Sequence, residues 1–587
     1  MNVFELRKKL IEDYGAYVTS FISIRDERIQ KRVEKDLADG LLWPEPRIGL
    51  NPAFAEGAWI DELVRQGVLH AECGKIFRIK PSPQDSGSGL RLHKHQLDAV
   101  HAARAGRNYV LTTGTGSGKS LSYIVPIVDH VLRGERRKGI KAIVVYPMNA
   151  LANSQAQELQ KFLCHGYPDQ KGPVTFRRYT GQESDEERRA ILADPPDILL
   201  TNYVMLELIL TRTDERALVK AARGLLFLVL DELHTYRGRQ GADVALLARR
   251  TRDACEADAL QHVGTSATMA TSGTFEEQRT EVARVASLIF GAPVEPQDVI
   301  GETLRRATPE PDLADPGFLN ALRLRVADER TPPPADHTTF VADSLSRWIE
   351  GAFGITTEPA SGRLVRAEPQ PIAGPAGAAR KLSELTGVPE DRCVTRIQEH
   401  FLAGYHVAQP DTGLPAFAFR LHQFISRGDT AYASLEAEAD RYLTLQAQRF
   451  VPGDRGRLLL PLVFCRECGR EYYTVRLLEE GSGQRIEGRA FDERPLEAPG
   501  TQGYLHFSSK TPWSGALEDL PDDWIEPGDT PRVKHHLRKR IPREMRVAPD
   551  GRVAEDGLKV HFVPAPFRFC LQCKVVYGGR VRSDFSK

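Results

Sequence analysis

The stretch Thr113-Gly-Thr-Gly-Ser-Gly-Lys119-Ser120 constrains this chain more than any other. An apolar, strand-like run over 109–112 leads into it and a helical apolar pattern over 121–132 leaves it, so the order is strand, loop, helix. Glycines at 114, 116 and 118 let successive backbone N–H groups turn toward one anion at the start of a helix. Thr115, Gly116, Ser117, Gly118, Lys119 and Ser120 are therefore expected to grip a nucleotide triphosphate. Lys119 would reach the β and γ oxygens, and the Ser120 hydroxyl would hold Mg²⁺. The strict pattern has glycine at the first position, where this chain has Thr113.

The second signal is an apolar run over 225–230 that ends in Asp231-Glu232-Leu233-His234. A buried strand delivering two carboxylates to its tip is hard to explain by packing alone. In phosphoryl chemistry Asp231 would bind Mg²⁺, and Glu232 would orient and deprotonate the water that attacks the γ-phosphate. Strand-like runs also recur at 142–146, 174–179, 197–201 and 262–265, with helical segments between them. That alternation predicts an α/β fold, a parallel sheet with flanking helices.

These residues, taken in order, resemble superfamily 2 helicases of the DEAD/DEAH type. Gly-Ser-Gly-Lys119-Ser120, Asp231-Glu-Leu-His234 and Ser266-Ala-Thr268 look like motifs I, II and III. The resemblance implies a RecA-like ATP-binding lobe over 89–290, ATP and Mg²⁺ as ligands, ATP hydrolysis, and coupling of hydrolysis to movement through His234, Ser266 and Thr268. Gln96 precedes the loop lysine by 23 positions, the spacing of the family's adenine-reading Q motif. Pro147, Asn149 and Gln155 resemble motif Ia, Thr180-Gly181 motif Ib, and Thr201-Asn202 the next strand-end motif. In the family these loops hold nucleic-acid phosphates regardless of sequence. Asn149 stands where arginine is common. The continuation Asp231-Glu-Leu-His-Thr-Tyr-Arg-Gly238 is similar to large bacterial helicases that carry a four-cysteine zinc domain, among them anti-phage defence helicases such as the Druantia type.

The cysteines supply a separate signal. Pro461-Leu-Val-Phe464-Cys465-Arg-Glu-Cys468-Gly-Arg-Glu-Tyr472 recurs 105 residues later as Pro566-Phe-Arg-Phe569-Cys570-Leu-Gln-Cys573-Lys-Val-Val-Tyr577. Two Cys-x-x-Cys turns can complete the tetrahedral shell of structural Zn²⁺. Phe464 and Phe569 are expected to shield the sulfurs, with the tyrosines beneath the turns. A redox pair would need a helix start in a thioredoxin-like setting, which neither turn shows. Cys73, Cys164, Cys255 and Cys393 are isolated and read as packing residues.

Four regions follow: a mostly helical N-terminal accessory domain over 1–88, the lobe over 89–290, an irregular Pro-rich and helical insertion over 291–439, and a zinc-binding domain over 440–587. Lysine plus arginine equals aspartate plus glutamate at 79 each, so no global basic field announces nucleic acid. The dense basic run over 532–546 is a local candidate. No apolar run is long enough to span a bilayer, and the polar start is no secretory signal; the cytoplasm is the expected location, with no membrane partner.

Two function classes stand at this point. One is a helicase or translocase acting on nucleic acid, DNA being the expected substrate. The other is a non-motor, ATP-responsive nucleic-acid-binding subunit that needs a partner chain for hydrolysis. The family's Gln-x-x-Gly-Arg-x-x-Arg motif does not occur from 271 to 587. A second RecA lobe is thus expected in cis, if the sequence is part of a longer helicase, or from a partner protein.

Overall fold

The computed structural model describes all residues except 1, 21–22, 115, 135–137, 268–273, 360, 411–412, 427–429, 482, 492, 494–498, 509–512, 527, 529–530, 578–584 and 587. Thr115 and Thr268, both expected in the site, lie outside the described residues.

Seven strands form one parallel sheet: β1 (Tyr109–Thr112), β2 (Ala142–Tyr146), β3 (Phe176–Arg178), β4 (Ile198–Asn202), β5 (Phe227–Leu230), β6 (Gln261–Ser266) and β7 (Val299–Gly301). Their order across the sheet is β7-β1-β6-β5-β2-β4-β3. Continuous apolar runs suit it because both faces are covered. Every residue of β2 and of β5 is buried. Alternation sends Val144 and Tyr146 into the core beneath helices Lys94–Arg104 and Leu121–Arg133. Ile143 and Val145 enter the opposite core, with Leu247 and Ala248 of helix Gly238–Ala254 and Ile289 and Phe290 of helix Phe275–Phe290. Among the described residues this is the only parallel sheet.

The sheet runs past the expected end of the lobe. β7 pairs with β1, Gly301 opposite Thr112, so the chain leaves the sheet at Glu302 beside the phosphate loop. Residues 1–88 are distributed over three cores. Ile60, Leu63, Cys73 and Phe77 pack against the sheet, Ile48 packs among helices further along the chain, and Ile29 packs against the C-terminal strands. The Pro-rich region is a packed helical unit: Phe340, Trp348, Phe353, Phe401 and Phe417 form its center, within and beside helices Pro316–Ala327, Ser344–Phe353, Ala378–Thr386 and Glu390–His406. Strand Phe419–His422 closes the unit by pairing with Arg47–Leu50.

The last region is an antiparallel sheet that includes β8 (Asp454–Cys465), β9 (Glu471–Glu480), β10 (Thr501–His506), β11 (Arg543–Val547) and β12 (Leu558–Pro564), with neighbours in the order β8-β9-β10-β12-β11. The basic run contributes β11 and a short 3-10 turn, His535–Arg540. Among the described residues no helix is long and apolar enough to cross a membrane.

Candidate active site and metal centre

Parallel strands bring their carboxyl ends to one edge, where ligands of open α/β sheets bind. The phosphate loop, Pro147, Asn202, Asp231 and Ser266 all follow or close strands at that edge. Gly116 and Gly118 have φ of 84° and 69°, the left-handed conformations by which glycine turns the loop around a ligand. Lys119 Nζ lies 3.2 Å from Glu232 Oε1. The loop cation is thus paired with the carboxylate expected to handle water.

Motif II is braced from the adjacent strand. Asp231 stands opposite Thr265 because Leu230 pairs with Gly264. The Thr265 hydroxyl donates to Asp231 Oδ1 at 2.5 Å and accepts from the Glu232 N–H at 3.1 Å. Burial pushes the Asp231 carboxyl above its ordinary range, while the Thr265 bond pulls the other way. Glu232 itself has φ 53°, a left-handed conformation that aims its side chain back at the loop. His234 Nδ1 lies 3.3 Å from both Glu232 Oε2 and Ser266 Oγ. Of the expected coupling residues, His234 thus touches the carboxylate, and Ser266 touches His234.

Two residues sit differently from expectation. Gln96 is 2% exposed; its amide Nε2 donates to the Gly118 carbonyl at 2.9 Å and its Oε1 accepts from the His93 N–H at 2.8 Å. A second, longer donation from Nε2 reaches the Ser117 carbonyl at 3.5 Å, so Gln96 braces the loop and keeps one lone pair on Oε1 for a base. Gln155, expected on nucleic acid, instead accepts the Ser120 hydroxyl at 2.7 Å.

The remaining strand-end residues form a polar cluster. Asn202 Nδ2 donates to Asn149 Oδ1 at 2.7 Å and to the Thr180 carbonyl at 3.1 Å, while its Oδ1 caps helix Tyr203–Thr211. Pro147 lies at the end of β2, half-buried. The Thr201 hydroxyl is buried and donates to the Tyr179 carbonyl at 2.7 Å. The N–H groups of Thr180 and Gly181 donate to Glu183 Oε2 at 2.8 and 2.9 Å, and Arg178 pairs with the same carboxylate. A carboxylate of this chain therefore occupies the donors expected to hold phosphate. Burial raises the Glu183 pKa, but these donors, led by the Thr180 N–H, hold it below the ordinary range.

The four cysteines converge. One Sγ from each of Cys465, Cys468, Cys570 and Cys573 lies within 4.8 Å of the other three. The Cys465–Cys573 and Cys468–Cys570 sulfurs are 3.8 and 3.7 Å apart, close to the roughly 3.8 Å edge of a tetrahedron with 2.3 Å bonds. This donor set fits Zn²⁺. Each turn closes on a left-handed residue four positions after its first cysteine, Gly469 and Lys574. The tyrosines cross over: Tyr577 Oη lies 3.0 Å from Cys465 Sγ, and Tyr472 Oη 3.3 Å from Cys570 Sγ while accepting the Leu571 N–H at 2.8 Å. Phe464 does not shield the sulfurs. It packs in the core on the other face of β8, because adjacent strand residues point to opposite faces. The isolated Cys73, Cys255 and Cys393 are buried in packing positions.

Sequence reasoning missed Thr265, Glu183 and Glu302. Thr265 was accessible as the residue before Ser266 on the strand beside motif II. Glu183 and Glu302 carry no sequence signal that separates them from surface acids.

A phosphate loop with its lysine on an acidic strand end, on a RecA-like sheet, defines the nucleotide-hydrolase class. Residues 93–277 match the DEAD/DEAH box helicase family, and the chain carries a helicase domain of superfamily 2. It is 29% identical over 202 residues to ATP-dependent helicase HRQ1 of Saccharomyces cerevisiae, covering 33% of this chain and 18% of that one. It is 26% identical over 365 residues to Druantia protein DruE of Escherichia coli, covering 42% and 19%. It is 31% identical over 207 residues to the uncharacterized ATP-dependent helicase YprA of Bacillus subtilis, covering 35% and 26%. The chain thus spans about a fifth to a quarter of the length of these relatives.

Proposed function

We propose that this chain is the ATP-binding and ATP-hydrolysing part of a helicase or translocase that acts on nucleic acid, DNA in the first instance. The observation that carries the reading is the Lys119–Glu232 pair at 3.2 Å, with His234 bridging to Ser266. Triphosphate in the loop offers Lys119 stronger acceptors than one carboxylate, so Lys119 exchanges partners and releases Glu232. Glu232 then accepts a proton from water as its oxygen attacks the γ-phosphorus. The bond from that phosphorus to the leaving oxygen of ADP breaks, leaving ADP and phosphate. Ser120 and Asp231 are the residues that would hold Mg²⁺, which neutralises phosphate charge when bound. A cavity of about 300 Å³ bordered by Phe54, Trp59, His93 and Gly116 opens beside the phosphate loop and is the candidate space for the base.

The domain roles follow. The lobe binds nucleotide, and Asn149, Asn202 and the loops around them face nucleic acid; the cysteine region is held by structural zinc. Thr180 and Gly181 join that face only if Glu183 yields to a phosphate. A second RecA lobe, from further sequence or a partner, supplies the remaining half of a motor. The alternative reading is a non-motor, ATP-responsive binding subunit that depends on a partner chain for hydrolysis.

ATP turnover and strand displacement by the purified chain separate these readings. We expect weak basal turnover that E232Q abolishes and no displacement, because second-lobe arginines are worth about 10³ to 10⁵ in related phosphoryl transfers. Robust DNA-stimulated turnover with displacement would mean that a complete motor lies within these 587 residues.

A further inference from the structure

We propose that Arg420, with Arg366 beside it, contacts the phosphates of the bound nucleotide from outside the helicase lobe. The inference rests on the reading of the loop as an ATP site. Glu302, delivered by β7, accepts the Gly114 N–H at 3.0 Å. Arg366 forks onto the same carboxylate, with Nε 2.6 Å from Oε1 and Nη2 2.8 Å from Oε2. A Cβ placed on Gly114 would meet the Arg366 Cζ at 2.5 Å, and one on Gly116 would meet the Arg420 Nη2 at 2.8 Å. Two guanidinium groups from the helical unit and its closing strand therefore lie against the phosphate loop.

Both stand on paired backbone. Arg366 ends the ribbon Ile355–Thr357 with Leu364–Arg366, and Arg420 lies opposite Gly49. Elements of this kind hold a side chain more firmly than a free loop does. Arg420 is exposed and lies over Gly116, at the center of the loop. A guanidinium offers five donors in a plane that matches two phosphate oxygens, and it keeps its charge at any working pH. Arg420 is the principal contact, and Arg366 closes the side of the loop at Gly114.

Calorimetry of Mg-ATP binding with the full chain tests this, using wild type, R420A, R420Q and K119A. We expect R420A and R420Q to bind about tenfold more weakly, from loss of a charge-assisted contact. The deficit should shrink as KCl is raised, and R420K should fall between wild type and R420A. Thermal midpoints without nucleotide should match wild type, a comparison that separates lost contact from lost fold. Should R420A lower the midpoint, R420Q keeps a polar, hydrogen-bonding side chain, shorter and without the charge, and decides the point. Wild-type affinity in R420Q, while K119A loses binding, overturns the Arg420 contact and leaves the ATP site standing. Failure of wild type to bind Mg-ATP overturns both.

Discussion

Gln155 accepts the Ser120 hydroxyl at 2.7 Å, tying the helix after β2 to the phosphate loop through one side-chain bond. The residue expected to face nucleic acid thus touches the hydroxyl expected to face Mg²⁺. When the metal takes the Ser120 oxygen, the hydroxyl proton can still point to Gln155, so this bond joins the helix of the nucleic-acid motif to nucleotide occupancy.

Q155A should therefore weaken Mg-ATP binding by about two- to tenfold, the worth of one ordinary hydrogen bond. DNA affinity at saturating nucleotide should change little. A fluorescence anisotropy titration in which Q155A lost DNA binding but kept wild-type nucleotide affinity would return Gln155 to the nucleic-acid face.

Glu183 gives a pH dependence of defined sign. Its folded pKa is held below the ordinary value of 4.5, so its stabilisation is fully present above that value and is lost as pH falls through the lower folded value. E183Q should remove part of the acid-induced loss of stability below about pH 4.5 and cost about 1.5–3 kcal/mol at neutral pH, as expected for hydrogen bonds to a charged group. Urea melts of both proteins at pH 7 and pH 4 measure the difference. Parallel stability profiles would show that this carboxylate does not hold the turn.

The cysteine cluster should bind one zinc per chain. Its thiolates come from turns about a hundred residues apart in sequence, so C465S or chelation should expose the region from β8 to Tyr577 to proteolysis. Y577F and Y472F each remove one hydroxyl near a sulfur and should leave metal content intact while lowering the concentration of chelator that strips it. Metal analysis finding no zinc in protein purified without chelator would contradict the assignment.

How much of this was legible in sequence depends on how local the cause is. The runs 109–112 and 142–146 coincide with β1 and β2, because a strand covered on both faces must be apolar throughout. β7 escaped notice: three residues, Val-Ile-Gly, carry too little pattern, and their role is set by pairing with β1. The matched Cys-x-x-Cys frames announced their convergence, yet the same strand alternation should have shown that Phe464 and Cys465 cannot face one site. Arg366 and Arg420 stand roughly 250 and 300 residues beyond the loop, and only tertiary structure brings them to it. The core of the helical unit was hidden by its prolines, which stiffen the connections without interrupting the helices between them.

Calorimetry of wild type against K119A decides whether the loop at 113–120 binds Mg-ATP. Lys119 is a loop residue paired with Glu232 and outside the hydrophobic cores, so K119A should fold as wild type does. One Mg-ATP should bind per wild-type chain, with no measurable binding by K119A and the two proteins melting alike. Equal Mg-ATP affinity in the two proteins would contradict binding at that loop.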